Sequence, residues 1–309
     1  MKCIIFGGGG FIGSTIADKL LAEGHHVKIF ERPRVPQYRI FSKEEKIEWV
    51  SGDFSSSHDI AKAINGMDAV LHLVSTTLPK SSNEDPVYDV ESNVVSTLKM
   101  LNESVAQKIK KIIFISSGGT VYGSPIYLPI DEIHPTNPIV SYGVTKLTIE
   151  KYLKIYQKAY GIQPIILRVA NPYGERQRVE TAQGAVGVFI NRALRDMPIE
   201  IWGDGSITRD YIHVSDVADA FSLALQYSGS ESCFNISSGT GTSLNQLIDL
   251  IDNNLENPVK RNYQPGRPFD VPISVLSNQL AIKELNWKPS ISIEDGITRT
   301  AKWMRNQLN

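Results

Sequence analysis

The chain is 309 residues long, with 41% hydrophobic and 21% charged residues, enough apolar content to bury a core and far from a disordered composition. Its 33 acidic and 32 basic residues leave a formal charge of −1, which argues against a broad basic field for nucleic acid or anionic lipid. Cys3 and Cys233 are the only cysteines and the 6 histidines show no metal-ligand spacing, so neither a disulfide framework nor a metal site is expected.

Residues 3–6 form a short buried-strand run, and residues 11–22 carry apolar residues at helical spacing. Further strands are expected at 27–30, 48–50, 69–73, 112–115 and 164–169, with helices at 59–65, 87–108 and 142–160 between them. Such alternation, dense in β-branched residues, implies a mainly parallel sheet covered on both faces, and right-handed crossovers make it doubly wound. After Val169 the rhythm loosens. Strands at 199–202, 210–214 and 233–236 mix with helices at 188–195, 215–227 and 243–253, and prolines and glycines multiply towards 265–272. No run approaches the ~18 apolar residues of a membrane span. The N-terminus passes straight into a strand and then glycines instead of a leader's apolar stretch, so a soluble, cytoplasmic enzyme is expected.

Gly7-Gly8-Gly9-Gly10-Phe11-Ile12-Gly13 follows the first strand and opens the first helix. It fits G-x-x-G-x-x-G through Gly7, Gly10 and Gly13, and G-x-G-x-x-G through Gly8, Gly10 and Gly13. A pyrophosphate needs this combination: a tight turn, a backbone it can touch, and a helix N-terminus aimed at it. Glu31 ends the second strand 18 residues past Gly13, close to the ~20 expected of the carboxylate that holds an adenosine ribose. A carboxylate there repels a 2′-phosphate and favours NAD over NADP, although Arg32 and Arg34 are of the type that pairs with that phosphate. Asp53, after the third strand, is placed to meet the adenine amine. The fold class is therefore α/β: a Rossmann domain over residues 1–170, with returns of the chain near 210–238, and a smaller mixed substrate lobe over 171–309.

Tyr142 and Lys146 stand four apart on one helical segment and share a face. A phenol with a pKa near 10 is a poor base at neutral pH; a nearby ammonium favours the phenolate, and a drop of ~3 units needs about 4 kcal/mol of differential stabilisation.

With these features stand His72-Leu73, Asn93 in Ser92-Asn93-Val94, the SSGGTVYG stretch from Ser116 to Gly123, Arg168, and Asn171-Pro172-Tyr173-Gly174. Gly203-Asp204-Gly205, Arg209-Asp210-Tyr211-Ile212-His213-Val214 and Arg267-Pro268-Phe269-Asp270 follow. In this order, along nearly the whole chain, they resemble the extended short-chain dehydrogenases/reductases, and among them the nucleotide-sugar 4-epimerases. The resemblance implies NAD as cofactor, held by Gly7, Gly10, Phe11, Ile12, Gly13, Glu31, Arg32, Asp53, Phe54, Leu73, Ser75, Asn93, Ser116, Tyr142 and Lys146. It implies a UDP-sugar held by Asn171, Val188, Arg209, Arg267, Asp270 and Ser274, the guanidinium forks matching phosphate oxygens. Asn171 would donate to the phosphates and Asp270 would accept from a ribose hydroxyl. His213 reads as a structural strand residue. It further implies a homodimer formed through the helices at 87–108 and 142–160, and a place in polysaccharide precursor supply.

One departure matters. The family's hydroxyl residue four positions before the tyrosine of V-Y-G is here Gly118, so either Ser117 or Thr120 serves the sugar's 4-oxygen, with Thr120 favoured, or the tyrosine works with water. Seven positions after Arg267, where a tyrosine restricts the family to plain hexoses, stands the small Ser274. That implies use of UDP-N-acetylglucosamine and UDP-N-acetylgalactosamine as well as, or instead of, UDP-glucose and UDP-galactose. A 4,6-dehydratase or decarboxylase is the alternative, but Gly119 and Thr120 occupy the positions of the carboxylate pair that dehydratases carry. A non-catalytic dinucleotide-sensing scaffold is a third reading, against which Tyr142 and Lys146 argue.

Overall fold

The computed structural model describes residues 1–178, 184–255, 259–267 and 271–308. Its strands are β1 (Lys2–Phe6), β2 (His26–Glu31), β3 (Ile47–Ser51), β4 (Ala69–His72), β5 (Lys111–Ser117), β6 (Gln163–Val169), β7 (Asn171–Tyr173), β8 (Ile199–Trp202), β9 (Thr208–His213), β10 (Cys233–Ile236), β11 (Gly241–Ser243), β12 (Arg261–Gln264) and β13 (Ile273–Ser274). Its helices are α1 (Phe11–Ala22), α2 (Ser57–Ile64), α3 (Pro79–Glu84), α4 (Pro86–Asp89), α5 (Ser96–Ala106), α6 (Ser141–Tyr160), α7 (Ala185–Leu194), α8 (Val214–Gln226), α9 (Leu244–Asn254), α10 (Gln279–Leu285) and α11 (Ile293–Leu308), with a π-helical stretch, Val90–Val95, between α4 and α5.

Seven strands form one sheet in the order β10-β6-β5-β4-β1-β2-β3, and β1 pairs in parallel with both β2 and β4. The chain order reverses at β1, which makes the carboxyl ends of β1 and β4 the switch point of a doubly wound Rossmann sheet. β1 and β4 are buried along almost their whole length and β2 over its four central residues, as strands covered on both faces must be. Phe6 ends β1 beneath the glycine turn, with the rings of Phe30 and Phe54 centred 5.0 and 5.1 Å away. These aromatic contacts give the turn a rigid floor.

The chain divides into two compact units, 1–123 with 135–168 and 218–234, and 124–134 with 169–217 and 235–309. The change near residue 169 lies close to the boundary read from the sequence, and the chain returns to the first unit at 218–234. The excursion of 124–134 into the second unit carries no compositional mark. In that second unit β9 pairs in parallel with β7 and β13 and antiparallel with β11, a mixed sheet, while β8 and β12 form a separate parallel pair. Helices α7, α9 and α11 close its core through Phe189, Ile190, Leu247, Ile251, Ile297 and Met304.

The helix expected over 87–108 is in fact three pieces, α4, the π stretch and α5. Helices α3, α10 and α11 were not anticipated. The first is short and opens on Pro79, whereas α11 does bury Ile297, Ala301 and Met304 at helical spacing.

Candidate active site

The glycine turn is shaped by backbone contact. Gly7 has φ +86°, and a Cβ there would lie 3.3 Å from the Val74 nitrogen in the segment after β4. A Cβ on Gly13 would fall 2.2 Å from the Gly7 carbonyl oxygen, so only glycine lets α1 start this close to the turn. Gly10 differs, since a Cβ there would meet only the Gly7 oxygen, at 3.5 Å. Gly10 also caps α1 without a side-chain hydrogen bond, which leaves the first-turn N–H groups for an outside acceptor. Glu31 accepts from the Gly9 N–H at 3.2 Å and the Arg32 N–H at 3.0 Å, while Arg32 itself is exposed. These residues fit a dinucleotide: an open anion cradle with a carboxylate fixed beside it. Phe11 and Ile12 are half-buried in the first turn of α1.

Other expected cofactor residues use their side chains differently. Asp53 is exposed and accepts from the Ser55 N–H at 2.8 Å, a contact that holds its carboxyl below the usual range. Phe54 is a core residue stacked between Phe6 and His72. Ser116 is buried and donates to Glu150. Asn93 donates to Thr77 and Asp89 and accepts from the Thr76 N–H, so its amide is spent on the protein. The side chains of Phe54, Ser116 and Asn93 are thus each engaged within the protein. Leu73 is half-buried at the end of β4, next to Gly7.

Tyr142 and Lys146 lie in the first turns of α6. The Lys146 ammonium is buried, donates to the Ile115 carbonyl at 3.1 Å, and lies 5.5 Å from the centre of the Tyr142 ring. Burial pulls Lys146 down to about 8, against the opposing charges of Asp89 and Glu150. Burial pushes the Tyr142 phenol up to about 12, opposed by the nearby Ser75 hydroxyl and reinforced by the charge of Asp89. The expectation that the lysine lowers the phenol's pKa is thus not met in this state. Desolvation dominates, and the ammonium is turned to a carbonyl. Ser75, expected to touch the cofactor, is exposed in the segment after β4 and its hydroxyl donates to the Thr77 carbonyl at 3.2 Å. Thr120 Oγ1 is buried with no hydrogen-bond partner among the described residues, whereas Ser117 is a half-buried residue at the end of β5. An orphaned hydroxyl is costly unless a ligand completes it, which singles out Thr120.

The second unit contains a cavity of about 560 Å³, within the usual range for small-molecule sites. Asn171, Val188, Arg209 and Arg267 are among the residues that line it. So does Arg192, which the sequence reading passed over, and three guanidinium groups face one carboxylate, Glu200, a balance suited to an anionic ligand. Arg267 stacks 4.2 Å from the centre of the Trp202 ring, and Asn171 donates to the Asp210 carbonyl at 2.8 Å. The Tyr211 hydroxyl, another lining group, is buried without a partner among the described residues. Only its alternation with buried Ile212 hid it. His213 is buried, 3.1 Å from Glu175, with its Nδ1 accepting from the Ser215 N–H, a structural role as read from the sequence. Ser274 is buried in β13 opposite Arg209 of β9 and does not line the cavity. Asp270 lies outside the described residues.

A family model described as the NAD dependent epimerase/dehydratase family matches residues 3–237. The chain belongs to that family. This epimerase/dehydratase is 38% identical to a putative UDP-glucose 4-epimerase of Methanocaldococcus jannaschii over 98% of each chain. Among solved structures it is similar to UDP-glucose 4-epimerase of Thermotoga maritima with UDP-glucose, at TM-score 0.94 and 32% identity over 100% of both chains. It is also similar to UDP-N-acetylglucosamine 4-epimerase of Methanobrevibacter ruminantium in complex with UDP-N-acetylmuramic acid, at TM-score 0.92 and 28% identity over 99% of this chain and 98% of that one. The expectation of an extended short-chain dehydrogenase/reductase of the nucleotide-sugar 4-epimerase type, an NAD-dependent isomerase, is met. Among the described residues of this epimerase/dehydratase, no helix is long and apolar enough to cross a membrane.

Proposed function

We propose that the chain interconverts the C4 epimers of a UDP-sugar. The observation that carries this is the Tyr142 phenol one helical turn from the buried Lys146 ammonium, which lies 5.5 Å from the centre of its ring. NAD, when bound, supplies a cationic ring and a reversible hydride acceptor for C4. Tyr142 Oη takes the 4-hydroxyl proton as the alcohol becomes a ketone, and returns it when the alcohol re-forms on the opposite face. The Thr120 hydroxyl, without a partner among the described residues, holds the 4-oxygen. Arg192, Arg209 and Arg267 hold the diphosphate, which keeps the substrate anchored while the sugar turns. Gly119 and Thr120 offer no acid–base pair for eliminating a C6 hydroxyl, so the lyase reading is not favoured. UDP-glucose incubated with the NAD-loaded protein and no added reductant should yield UDP-galactose, with no net NADH. Loss of water or carbon dioxide from the sugar would overturn the reading.

Ser274 does not itself line the cavity, but it is small and stands in register with the cavity-lining Arg209, which supports a wider sugar range, taking in UDP-N-acetylglucosamine and UDP-N-acetylgalactosamine. Ser274→Tyr should then abolish acetylated turnover and spare the plain pair, since an added acetamide cannot share the volume of a phenol ring. Equal loss on both pairs refutes the size filter.

A homodimer is proposed through the helical segments 87–108 and 142–160. Supporting it are exposed apolar side chains at Val87, Val90, Val95, Val144, Ile155 and Tyr160, an unusual concentration for a monomer's surface. Light scattering should give twice 34.3 kDa for the wild type and the single mass for Val144→Glu/Ile155→Glu. A monomeric wild type refutes the dimer.

A further inference from the structure

Asp89, the last residue of α4, is fully buried and forms no ion pair among the described residues. Its Oδ1 accepts from Asn93 Nδ2 at 3.0 Å and from the Thr77 hydroxyl at 2.5 Å. Its Oδ2 accepts from the Ser141 hydroxyl at 2.8 Å and the Thr145 hydroxyl at 2.7 Å. Four donors saturate an ionised carboxylate. They come from three separate places: the segment after β4, the π stretch, and the first two turns of α6. On α6 each donor immediately precedes a reactive residue, Ser141 before Tyr142 and Thr145 before Lys146.

Helix capping does not explain this arrangement. The N-cap Val140 has no side-chain bond, and the first N–H groups of α6 are met from α3: Ser141 N–H donates to Asn83 Oδ1 at 2.8 Å and Tyr142 N–H to Ser82 Oγ at 3.0 Å. Asp89 instead binds side chains. The other buried carboxylate near Lys146, Glu150, is already engaged by Arg168 through two nitrogens at 3.0 and 2.6 Å. A buried ion without a counter-ion is expensive, so Asp89 needs a reason to be there.

We propose that Asp89 is a positioning residue for the reaction: it locks the first turns of α6 to the segment after β4 through Thr77 and supplies the negative charge that balances the buried Lys146 ammonium. The role rests on the epimerase reading for its consequence in turnover, but not for its geometry. Among titratable groups on the elements around it, Lys80, Glu84, Asp85 and Glu91 are exposed. His72 on β4 is kept neutral by burial, Glu150 is paired with Arg168, and Tyr142 and Lys146 are left to feel the charge. Asp89 raises both of them, opposing burial at Lys146 and adding to it at Tyr142.

The sign of the test follows. Asp89→Asn keeps the shape and removes the charge, which eases loss of a proton from both groups. In the NAD-loaded protein, the near-ultraviolet phenolate signal that is missing from Tyr142→Phe should move to lower pH by about one unit, and the pH optimum for epimerisation should move with it. An unmoved phenolate titration overturns the electrostatic role even if kcat falls. Because the titration needs no substrate, it decides the point even for a wild type that fails to epimerise UDP-sugars, a failure that would count against the function instead. Should Asp89→Asn not fold, Thr145→Val keeps the charge and removes one of the clamping bonds. It should lower kcat about tenfold with KM and the titration unchanged. A wild-type kcat in Thr145→Val overturns the clamp.

Discussion

Tyr142→Phe is expected to lower epimerisation by about 10²–10⁴-fold, the range for losing a positioned acid–base group, while the purified protein keeps its NAD. The substitution removes one oxygen from a ring whose position is set elsewhere, by the Ser82 and Val140 contacts to the helix backbone and by Lys146 behind it. Cofactor content measured after denaturation separates the outcomes. Lost NAD with proportionate loss of activity would make Tyr142 a binding residue and not the proton carrier.

The largest effect on stability is expected from Glu150→Ala. Arg168 lies beneath the site with its guanidinium 4.9 Å from the centre of the Tyr122 ring, donating to the Tyr122 hydroxyl and to both oxygens of Glu150. Side-chain exposure is 7% for Arg168 and 2% for Glu150, so water cannot replace the lost partner. Stranding a buried guanidinium costs about 3–5 kcal/mol, read as a lower urea midpoint. Lys260→Ala offers the contrast: its partner Asp196 is 81% exposed, and no measurable change is expected. Similar midpoints for the two variants would show that the Arg168 site admits solvent.

The sheet was legible because its strands are continuous β-branched runs, and β10 was read to the residue. The glycine turn and the Tyr142–Lys146 spacing were legible because each is local: three or four residues carry the whole constraint. Asp89 was not, since its partners lie up to 56 residues away and a lone aspartate before a helical run looks like a solvated cap. Phe54, Asn93 and Ser116, whose side chains are engaged within the protein, mark a different boundary of what a sequence carries. Resemblance to a family carries a residue's identity, but not whether its side chain or its backbone meets the ligand. Nor does a spacing of four report solvent, and solvent exclusion sets the protonation of Tyr142 and Lys146 more than their mutual charge does.

The discontinuity of the first unit has a consequence for synthesis. Strand β6 ends at Val169, and the neighbour that covers its free edge, β10, begins at Cys233. At about 5–20 residues per second, a ribosome needs roughly 3–13 seconds to deliver the 63 intervening residues. Throughout that interval the nascent sheet presents β6 as an open edge of seven residues, most of them buried in the finished protein, and such an edge pairs readily with other chains. The order of elements along the chain thus leaves β6 the edge exposed longest during synthesis.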